Sequence, residues 1–316
     1  MQAHWLRHPV CSACFAPELV SDLLSANEAS TAVTRHDQRS LPIGVFDSGV
    51  GGLTVLRSLQ RHLPNESFLY LGDTARLPYG TKSADTIVRY SLQAAGFLVQ
   101  RGVKCLVIAC NTASATALDA LQQQYPDLPI IGVVLPGARA GCDASANGRI
   151  VVVATEGTVR GGAYQRAIAA IRPRAEVIAL ACPLFVALAE EGWISGAIVE
   201  AIAQRYLGDL FAGAGHPDTL LLGCTHFPAI RPALQSVVGD QVTIVDSAET
   251  TAMALCGLLK SSDLLCATSA QLPVQRVRFF ATDGRERFAR VAAFFLDQKI
   301  DAESVELIDV GLTGAA

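Results

Sequence analysis

Two stretches of the chain decide its fold: residues 105–112, CLVIACNT, and residues 219–226, TLLLGCTH. In each stretch a short apolar run ends in a cysteine, hydrogen-bonding residues follow the cysteine, and a helical pattern comes next. Runs of this kind recur from residue 41 onward and alternate with helical patterns of ten to fifteen residues. The alternation predicts an α/β protein with mainly parallel sheets, nearly all of whose strands are too apolar to have a solvated face.

The same pattern predicts the individual elements. Strands are predicted at Ile43–Phe46, Phe68–Leu71, Cys105–Ala109, Ile130–Val133, Ile150–Ala154, Val177–Ala181, Thr219–Leu222, Thr243–Val245, Arg276–Ala281 and Val305–Ile308. Helices are predicted at Gly52–His62, Ser83–Arg101, Ala113–Tyr125, Arg160–Ile171, Pro183–Glu191, Ile198–Leu210, Pro228–Val238, Ala248–Lys260 and Arg285–Leu296. Ligands of such folds bind at the carboxyl ends of strands, and the residues that follow these strands are unusually polar.

Length and composition favour a soluble protein of two domains. The chain has 316 residues, 51% hydrophobic and 17% charged, which is enough for two modest cores. Its 25 basic and 29 acidic residues form no block of like charge, so nucleic acid is not expected as the main partner. The apolar runs are far shorter than the roughly 20 residues of a membrane-spanning helix. Nine cysteines do not suit a disulfide framework, and with no signal-peptide pattern we expect reduced thiols and a cytoplasmic protein.

Residues 1–40 show no sustained periodicity and are predicted to be a flexible extension. Four of them have a spacing that a metal could use: His4, His8, Cys11 and Cys14. A disordered or misassigned start explains the same residues more simply, so no metal is expected. The zinc content of the purified protein tests this expectation.

The two matched cysteines, Cys110 and Cys224, are the candidate chemical groups. A cysteine at the end of an apolar strand is by itself more often a small core residue than a catalyst. Two in equivalent settings are different, because thiols from two halves of a chain can face each other across a cleft. A cysteine just before a helix is expected to have its pKa lowered towards neutrality by the helix N-terminus. Such a pair suits inversion at carbon, in which one thiolate removes a proton and the opposite thiol delivers one.

The polar neighbours of the cysteines allow two interpretations each. His226 is either a core histidine or a partner of Cys224. Asp47 either caps the helix that begins near Gly52 or tunes a nearby catalytic group. Gly49, Gly51 and Gly52 could let backbone N–H groups approach an anion, but they lack the pattern of a dinucleotide fingerprint or P-loop.

The lysines give no support for a pyridoxal phosphate cofactor, which needs a Schiff-base lysine. Lys82 follows a predicted loop or starts a helix, and the other three are predicted to be exposed at the edges of elements: Lys104, Lys260 and Lys299. No cofactor is therefore expected.

With these strand ends laid out, the sequence closely resembles glutamate racemase of the aspartate/glutamate racemase superfamily. The resemblance rests on residues 46–55, FDSGVGGLTV, 72–80, GDTARLPYG, 109–114, ACNTAS, and 222–228, LGCTHFP. Shorter matches are residues 157–159, 183–186 and 245–247. Together they cover the chain from about residue 41 to near its end.

The resemblance implies interconversion of L- and D-glutamate without cofactor or metal, which supplies D-glutamate for peptidoglycan and cell shape. It implies that Cys110 acts on D-glutamate and Cys224 on L-glutamate. The auxiliary polar residues would be Asp47, Glu190 and His226, although Glu191 is adjacent to Glu190 and either could lie on a helix surface. The residues that would hold the substrate are Asp47, Ser48, Tyr79, Gly80, Asn111, Thr112, Thr225 and His226.

The resemblance also implies an architecture and partners. Two pseudo-symmetric α/β domains would enclose the site, the first formed by residues 41–138 and 247–316 and the second by residues 139–246. The N-terminal extension is absent from the shortest members, and some proteobacterial members carry a tail linked to activation by UDP-N-acetylmuramoyl-L-alanine. A homodimer or a monomer–dimer equilibrium is expected.

Two other functions remain open at the level of sequence. A thiol amidase could use Cys110 as nucleophile, His226 as base and Asn111 as orienting group, although a hydrolase needs only one cysteine. A noncatalytic amino-acid-binding or regulatory protein could keep the same fold. Ammonia release from glutamine would support the first, and glutamate binding without proton exchange the second.

Overall fold

The computed structural model describes residues 38–266 and 276–311. Its strands are β1 Ile43–Asp47, β2 Phe68–Gly72, β3 Cys105–Ile108, β4 Ile130–Gly132, β5 Arg149–Ala154, β6 Glu176–Ala181, β7 Thr219–Gly223, β8 Thr243–Asp246, β9 Val277–Ala281 and β10 Val305–Leu307. Its α-helices are α1 Leu53–His62, α2 Ala84–Gln100, α3 Asn111–Gln124, α4 Val134–Ala144, α5 Glu156–Gly161, α6 Ala163–Ile171, α7 Pro183–Glu190, α8 Ala197–Leu207, α9 Arg231–Val238, α10 Ser247–Ser261 and α11 Arg285–Leu296. Short 3-10 turns lie at Thr74–Arg76, Tyr79–Thr81, Gly208–Leu210, Phe227–Ile230 and Ala302–Ser304.

The strands form two parallel sheets with a repeated topology. One sheet has the order β10-β9-β2-β1-β3-β4 and the other the order β6-β5-β7-β8. The first four strands of the chain are therefore arranged as 2-1-3-4, and the next four repeat that arrangement. The last two strands, β9 and β10, return to the first sheet beside β2. The prediction of an α/β protein with two pseudo-symmetric, mainly parallel halves is confirmed.

Burial explains why the strands could be recognised from their apolar runs. Every residue of β1, β2, β3 and β7 is buried, because helices cover both faces of the parallel sheets. The edge strand β6 is an exception to the expectation that strands lack a solvated face, since its residues are apolar apart from Glu176 but are not fully buried. Among the described strands it pairs with β5 alone, so one of its sides has no neighbouring strand.

Two helical predictions were wrong in detail. The helix α4 was not predicted, because its sequence VLPGARAGCDA contains two glycines and a proline that normally mark a loop. Pro136 is tolerated because it lies in the first turn, where its missing N–H has no partner to lose. The single helix predicted at Arg160–Ile171 is instead divided into α5 and α6 by Gly162, whose φ of +65° ends the first helix.

Lys104 was predicted to be exposed, and this was wrong. It is only 4% exposed and forms a buried ion pair with Glu66 at the amino ends of β2 and β3. Its ammonium group also donates to the carbonyl oxygens of Arg39 at 2.7 Å and Leu264 at 2.9 Å. No local pattern around Lys104 indicated these partners, because they come from distant segments of the chain. Lys260 and Lys299 are exposed, as predicted.

Among the residues that the structure describes, no helix is long and apolar enough to cross a membrane. The same residues contain no group of three or more His, Cys, Asp or Glu side chains that could hold a metal ion. The candidate metal ligands His4, His8, Cys11 and Cys14, and nearly all of the predicted extension 1–40, lie outside the described residues.

Candidate active site

A small cavity lies where the carboxyl ends of the two sheets meet. Its volume is about 50 Å³, which has room for one or two water molecules. All but one of the site residues predicted from the sequence line it: Ser48, Tyr79, Gly80, Cys110, Asn111, Thr112, Glu190, Cys224, Thr225 and His226. The exception, Asp47, is completely buried at the end of β1. Because residues from both sheets form the walls, the cavity is shared by the two halves of the fold.

The two thiols reach this cavity from equivalent places in the repeated topology. Cys110 follows β3, which lies beside β1 in the first sheet, and Cys224 follows β7, which lies beside β5 in the second. In an open parallel sheet this is the position where the strand order reverses and a ligand crevice forms. Each cysteine is 5% exposed. The matched sequence settings therefore correspond to matched structural settings around one cavity.

Cys110 begins the helix α3 but does not have the lowered pKa expected from that position. Its sulfur accepts from the backbone N–H of Ala113 at 3.5 Å and lies 3.4 Å from Ser48 Oγ. Burial, followed by the negative charge of Asp47, nevertheless raises the pKa of Cys110 to about 12. The helix N-terminus is present, but its effect is smaller than the cost of burying a thiolate beside a carboxylate.

Asp47 is completely buried beside Cys110. Its Oδ2 accepts from the backbone N–H of Gly49 at 2.9 Å, and the backbone N–H of Gly52, just before the helix α1, also interacts with the carboxylate. Its Oδ1 is buried and has no hydrogen-bond partner among the described residues. Burial raises the pKa of Asp47, although His226 and the bond from Gly49 act in the opposite direction.

Cys224 belongs to a chain of polar contacts that continues away from the cavity. His226 Nδ1 lies 3.7 Å from Cys224 Sγ, and His226 Nε2 lies 3.0 Å from Glu190 Oε1. The second oxygen of Glu190 accepts from the guanidinium of Arg287 at 2.7 Å. The four side chains therefore form a continuous row, and His226 is a partner of Cys224 rather than an isolated core histidine.

The charges in this row support one another. Burial alone would lower the pKa of His226, but its hydrogen bonds to Cys224 and Glu190 raise that pKa to about 10. Burial would raise the pKa of Glu190, but its bond to His226 and the charges of His226 and Arg287 hold it below the ordinary value. At neutral pH the pair is therefore an imidazolium bonded to a carboxylate.

The structure distinguishes Glu190 from its neighbour. Glu190 is the last residue of α7, and its carboxylate turns towards His226. Glu191 follows the helix and is exposed. The contact with His226 thus belongs to Glu190.

Hydroxyl and amide groups form the rest of the polar wall. Thr112 Oγ1 lies 2.9 Å from Thr155 Oγ1 and 3.2 Å from Thr158 Oγ1, so a hydroxyl cluster joins the two halves. Asn111 Oδ1 accepts from the buried Tyr164 hydroxyl at 2.6 Å. These contacts set the directions in which the Thr112 hydroxyl and the Asn111 amide can face the cavity.

The ring of Tyr79 lines the cavity, but its hydroxyl points into the protein. It donates to Asp73 Oδ2 at 2.5 Å. Asp73 is completely buried and also accepts from Arg76 at 2.8 Å and from Thr282 at 3.0 Å. Asp73 therefore holds the loop that brings Tyr79 and Gly80 to the site.

Glycines allow backbone segments of the two halves to approach closely. A Cβ atom at Gly51 would lie 2.5 Å from the imidazole ring of His226. A Cβ atom at Gly80 would lie 2.7 Å from the Cβ of Thr155. Both distances are too short for any larger residue, so these positions need glycine for space rather than for an unusual φ.

Several residues of the site were not among the sequence predictions. Thr155 and Val186 line the cavity, and Asp73, Tyr164 and Arg287 stand behind it. Thr155 and Asp73 follow strands, a position that could have identified them. Tyr164 and Arg287 lie within helices far along the chain from their partners and carry no local signal.

These features define a class of protein: an α/β enzyme of two similar halves that presents one thiol from each half to a shared cavity. The Asp/Glu/Hydantoin racemase family model matches residues 43–255. The chain is 49% identical over 259 residues to glutamate racemase of Geobacter metallireducens, covering 82% of this chain and 93% of that protein. The chain belongs to the Asp/Glu/hydantoin racemase family and is an amino-acid racemase, an isomerase.

Solved structures agree with this assignment. Glutamate racemase from Francisella tularensis, in complex with D-glutamate, is 37% identical, with a TM-score of 0.78 over 86% of this chain and 99% of that chain. Escherichia coli glutamate racemase, in complex with L-glutamate and the activator UDP-MurNAc-Ala, is 30% identical, with a TM-score of 0.67 over 81% of this chain and 95% of that chain. The similarity therefore extends over both sheets.

Proposed function

We propose that this racemase interconverts L- and D-glutamate, with Cys110 and Cys224 as the two proton-transferring groups. The observation that carries the proposal is the placement of two buried thiols, one from each half, on one cavity. Inversion at the α-carbon needs a base on one face and an acid on the other. A pair of thiols from opposite halves meets this requirement, and the proposed reaction uses neither cofactor nor metal.

The ionisation states favour a reaction that begins only when substrate is bound. Cys110, with a pKa of about 12, is a protonated thiol at neutral pH and can act directly as the proton donor. For the reverse direction it must become a thiolate, and the α-ammonium group of a bound amino acid supplies the nearby positive charge that lowers a thiol pKa. His226 is positioned to exchange a proton with Cys224 on the other face.

The polar wall suits an amino acid with two carboxylates. Ser48, Asn111, Thr112 and Thr225 offer hydroxyl and amide donors, and the backbone of Gly80 closes the cavity against Thr155. Tyr79 contributes its ring, since its hydroxyl is bonded to Asp73. The names of the relatives add glutamate as the substrate, and the proposal adopts it from them.

The thiol amidase alternative loses its arrangement of residues. It required His226 as the base for Cys110 and Asn111 as the orienting group, but His226 contacts Cys224 and Asn111 is bonded to Tyr164.

We also propose, from the resemblance, that the product serves peptidoglycan synthesis. Turnover measured with and without UDP-N-acetylmuramoyl-L-alanine tests whether this chain shares the activation of the Escherichia coli enzyme.

Proton exchange with solvent tests the two-thiol proposal. Either glutamate enantiomer incubated with the protein in deuterated water should yield the opposite enantiomer with deuterium at the α-carbon, because the delivering thiol exchanges with solvent. Cys110→Ser and Cys224→Ser should each lower turnover by about 10²- to 10⁴-fold. Aspartate serves as the comparison substrate and Cys142→Ser as the control variant. Product without deuterium, or full activity in either variant, contradicts the proposal.

A further inference from the structure

Arg287 makes the outermost contact of the row that begins at Cys224. It lies in the first turns of α11, which packs against α1 and β10 beside the six-stranded sheet. Its guanidinium donates to Glu190 Oε2 at 2.7 Å. Glu190 ends α7, which belongs to the core of the four-stranded sheet. The contact therefore joins the two halves of the fold.

The two oxygens of Glu190 have separate partners. Oε1 bonds to His226 at 3.0 Å and Oε2 bonds to Arg287, so the two hydrogen bonds together restrict rotation of the carboxylate. Glu190 is 14% exposed in its side chain, whereas Arg287 is 50% exposed. A carboxylate at this depth needs fixed partners, because a wrong rotamer would leave it without the hydrogen bonds that offset its desolvation.

We propose that Arg287 is a positioning residue for proton transfer at Cys224: it fixes the carboxylate of Glu190, which in turn orients the imidazole of His226 against the sulfur. The inference rests on the proposed function and adds to it a residue from the opposite half of the fold. A group that orients a catalytic histidine does not touch the substrate, yet neutralising or displacing that group lowers the rate of the step that the histidine assists.

The effect is confined to one face of the substrate. On the other face, Asp47 and Ser48 lie beside Cys110. Within residues 38–266 and 276–311 neither Asp47 nor Ser48 pairs with an arginine. Arg76, which precedes Tyr79 in the loop that reaches the cavity, is bonded to Asp73 instead. Loss of Arg287 should therefore slow the step at Cys224 and leave the step at Cys110 unchanged.

A simple ratio of rates cannot reveal this asymmetry. The two enantiomers have equal free energy, so kcat/KM for the L and D substrates must remain equal to each other in every variant. Deuterium isotope effects measured with each α-deuterated enantiomer report which proton transfer limits the rate in each direction. They are read together with kcat/KM and with the free energy of unfolding from urea titration.

The experiment compares Arg287→Met, Arg287→Lys and the control Arg290→Met, an exposed arginine of the same helix, with the unmodified protein. We expect Arg287→Met to lower kcat/KM about tenfold. Because the L enantiomer loses its proton to Cys224, the isotope effect on α-deuterated L-glutamate should rise and that on the D enantiomer should fall. Arg287→Lys should recover part of the activity, and Arg290→Met should match the unmodified protein.

Three results would overturn the inference. One is unchanged kcat/KM in Arg287→Met, and another is an equal change of both isotope effects. The third is lower stability with unchanged isotope effects, which would make Arg287 a structural clamp only. Failure of the proposed function is seen separately, because the unmodified protein would then place no solvent deuterium at the α-carbon.

Discussion

The two thiols of the site have chemically different neighbours, although their positions in the fold are equivalent. Cys110 lies beside a carboxylate, Asp47, and Cys224 beside an imidazole, His226. A carboxylate opposes formation of a thiolate, whereas an imidazole can exchange a proton with the sulfur. The pseudo-symmetry of the backbone is therefore not a symmetry of the chemistry.

Replacing Asp47 by asparagine should change the titration of Cys110. The change removes the negative charge but not the burial, so the pKa of Cys110 should fall from about 12 yet remain above its ordinary value of 9.0. The thiolate would then appear at lower pH. Alkylation of Cys110 by iodoacetamide as a function of pH, in a Cys224→Ser background, measures the shift.

The control for that titration is Asp119→Asn, which removes an exposed carboxylate from α3, the helix that Cys110 begins. Its titration should match that of the Cys224→Ser parent. An unchanged or higher pKa in Asp47→Asn would show that Asp47 does not oppose the thiolate.

At the scale of elements, the turns that follow the strands form the site, and glycines in these turns determine how closely the two halves approach each other. Gly51 precedes α1 and leaves no room for a Cβ, which would meet the His226 ring at 2.5 Å. Thr54 Oγ1 on the same turn donates to the Thr225 carbonyl at 2.9 Å, so the turn is bonded to the opposite half. The position of His226 thus depends on the shape of a turn from the other sheet.

Gly51→Ala should therefore lower activity by displacing His226. We expect kcat/KM to fall at least about tenfold and the free energy of unfolding to fall by about 1–3 kcal/mol, as in other overpacked interiors. Gly257→Ala is the matched control, because Gly257 is exposed within α10 and a Cβ there meets nothing within 4 Å. It should keep full activity and raise the free energy of unfolding by about 0.5–1 kcal/mol. Full activity in Gly51→Ala would contradict this account.

Elements with a strong local signal could be predicted from the sequence, and those that depend on distant contacts could not. The buried strands β1, β3 and β7 are apolar over most of their length, which is why the polar residues that follow them indicated Cys110 and Cys224. The helix α4 was not predicted because of its one proline and two glycines, and its stability comes from packing against α6 and β7. The raised pKa of Cys110 depends on Asp47, which lies far away in sequence and close in space.

At the scale of the whole molecule, the proposed boundary between the two domains can be placed more narrowly. The strands β1–β4, β9 and β10 form one sheet and β5–β8 the other. The helix α10 packs against α1, which supports the return of the chain to the first domain at residue 247. Since α4 packs against α6, β7 and β8, we propose that the earlier boundary lies before Val134 rather than at residue 138.

The two ends of the strands in the six-stranded sheet have different roles. Asp47 and Cys110 lie at the carboxyl ends, whereas the buried pair of Lys104 and Glu66 lies at the amino ends. Lys104 binds the carbonyl oxygens of Arg39 and Leu264, and Glu66 Oε1 accepts from the backbone N–H of Cys266 at 2.9 Å. The pair and its partners thus join four segments of the chain, those of Arg39, Glu66, Lys104 and residues 264–266, without reaching the cavity.

Lys104→Met should therefore lower stability and leave catalysis unchanged. The substitution leaves the buried carboxylate of Glu66 without its ion-pair partner. Removal of one partner of a buried ion pair lowers the free energy of unfolding by about 3–5 kcal/mol. The double variant Glu66→Gln/Lys104→Met removes both charges but keeps an oxygen for the Cys266 N–H, so it should recover much of that loss. Urea titration gives the free energy of unfolding, kcat per folded molecule gives the activity, and Lys299→Met, at an exposed position, is the control. A fall in kcat per folded molecule would show that the amino ends of the strands also affect the active site. A double variant no more stable than Lys104→Met would show that Lys104 and Glu66 are not energetically coupled.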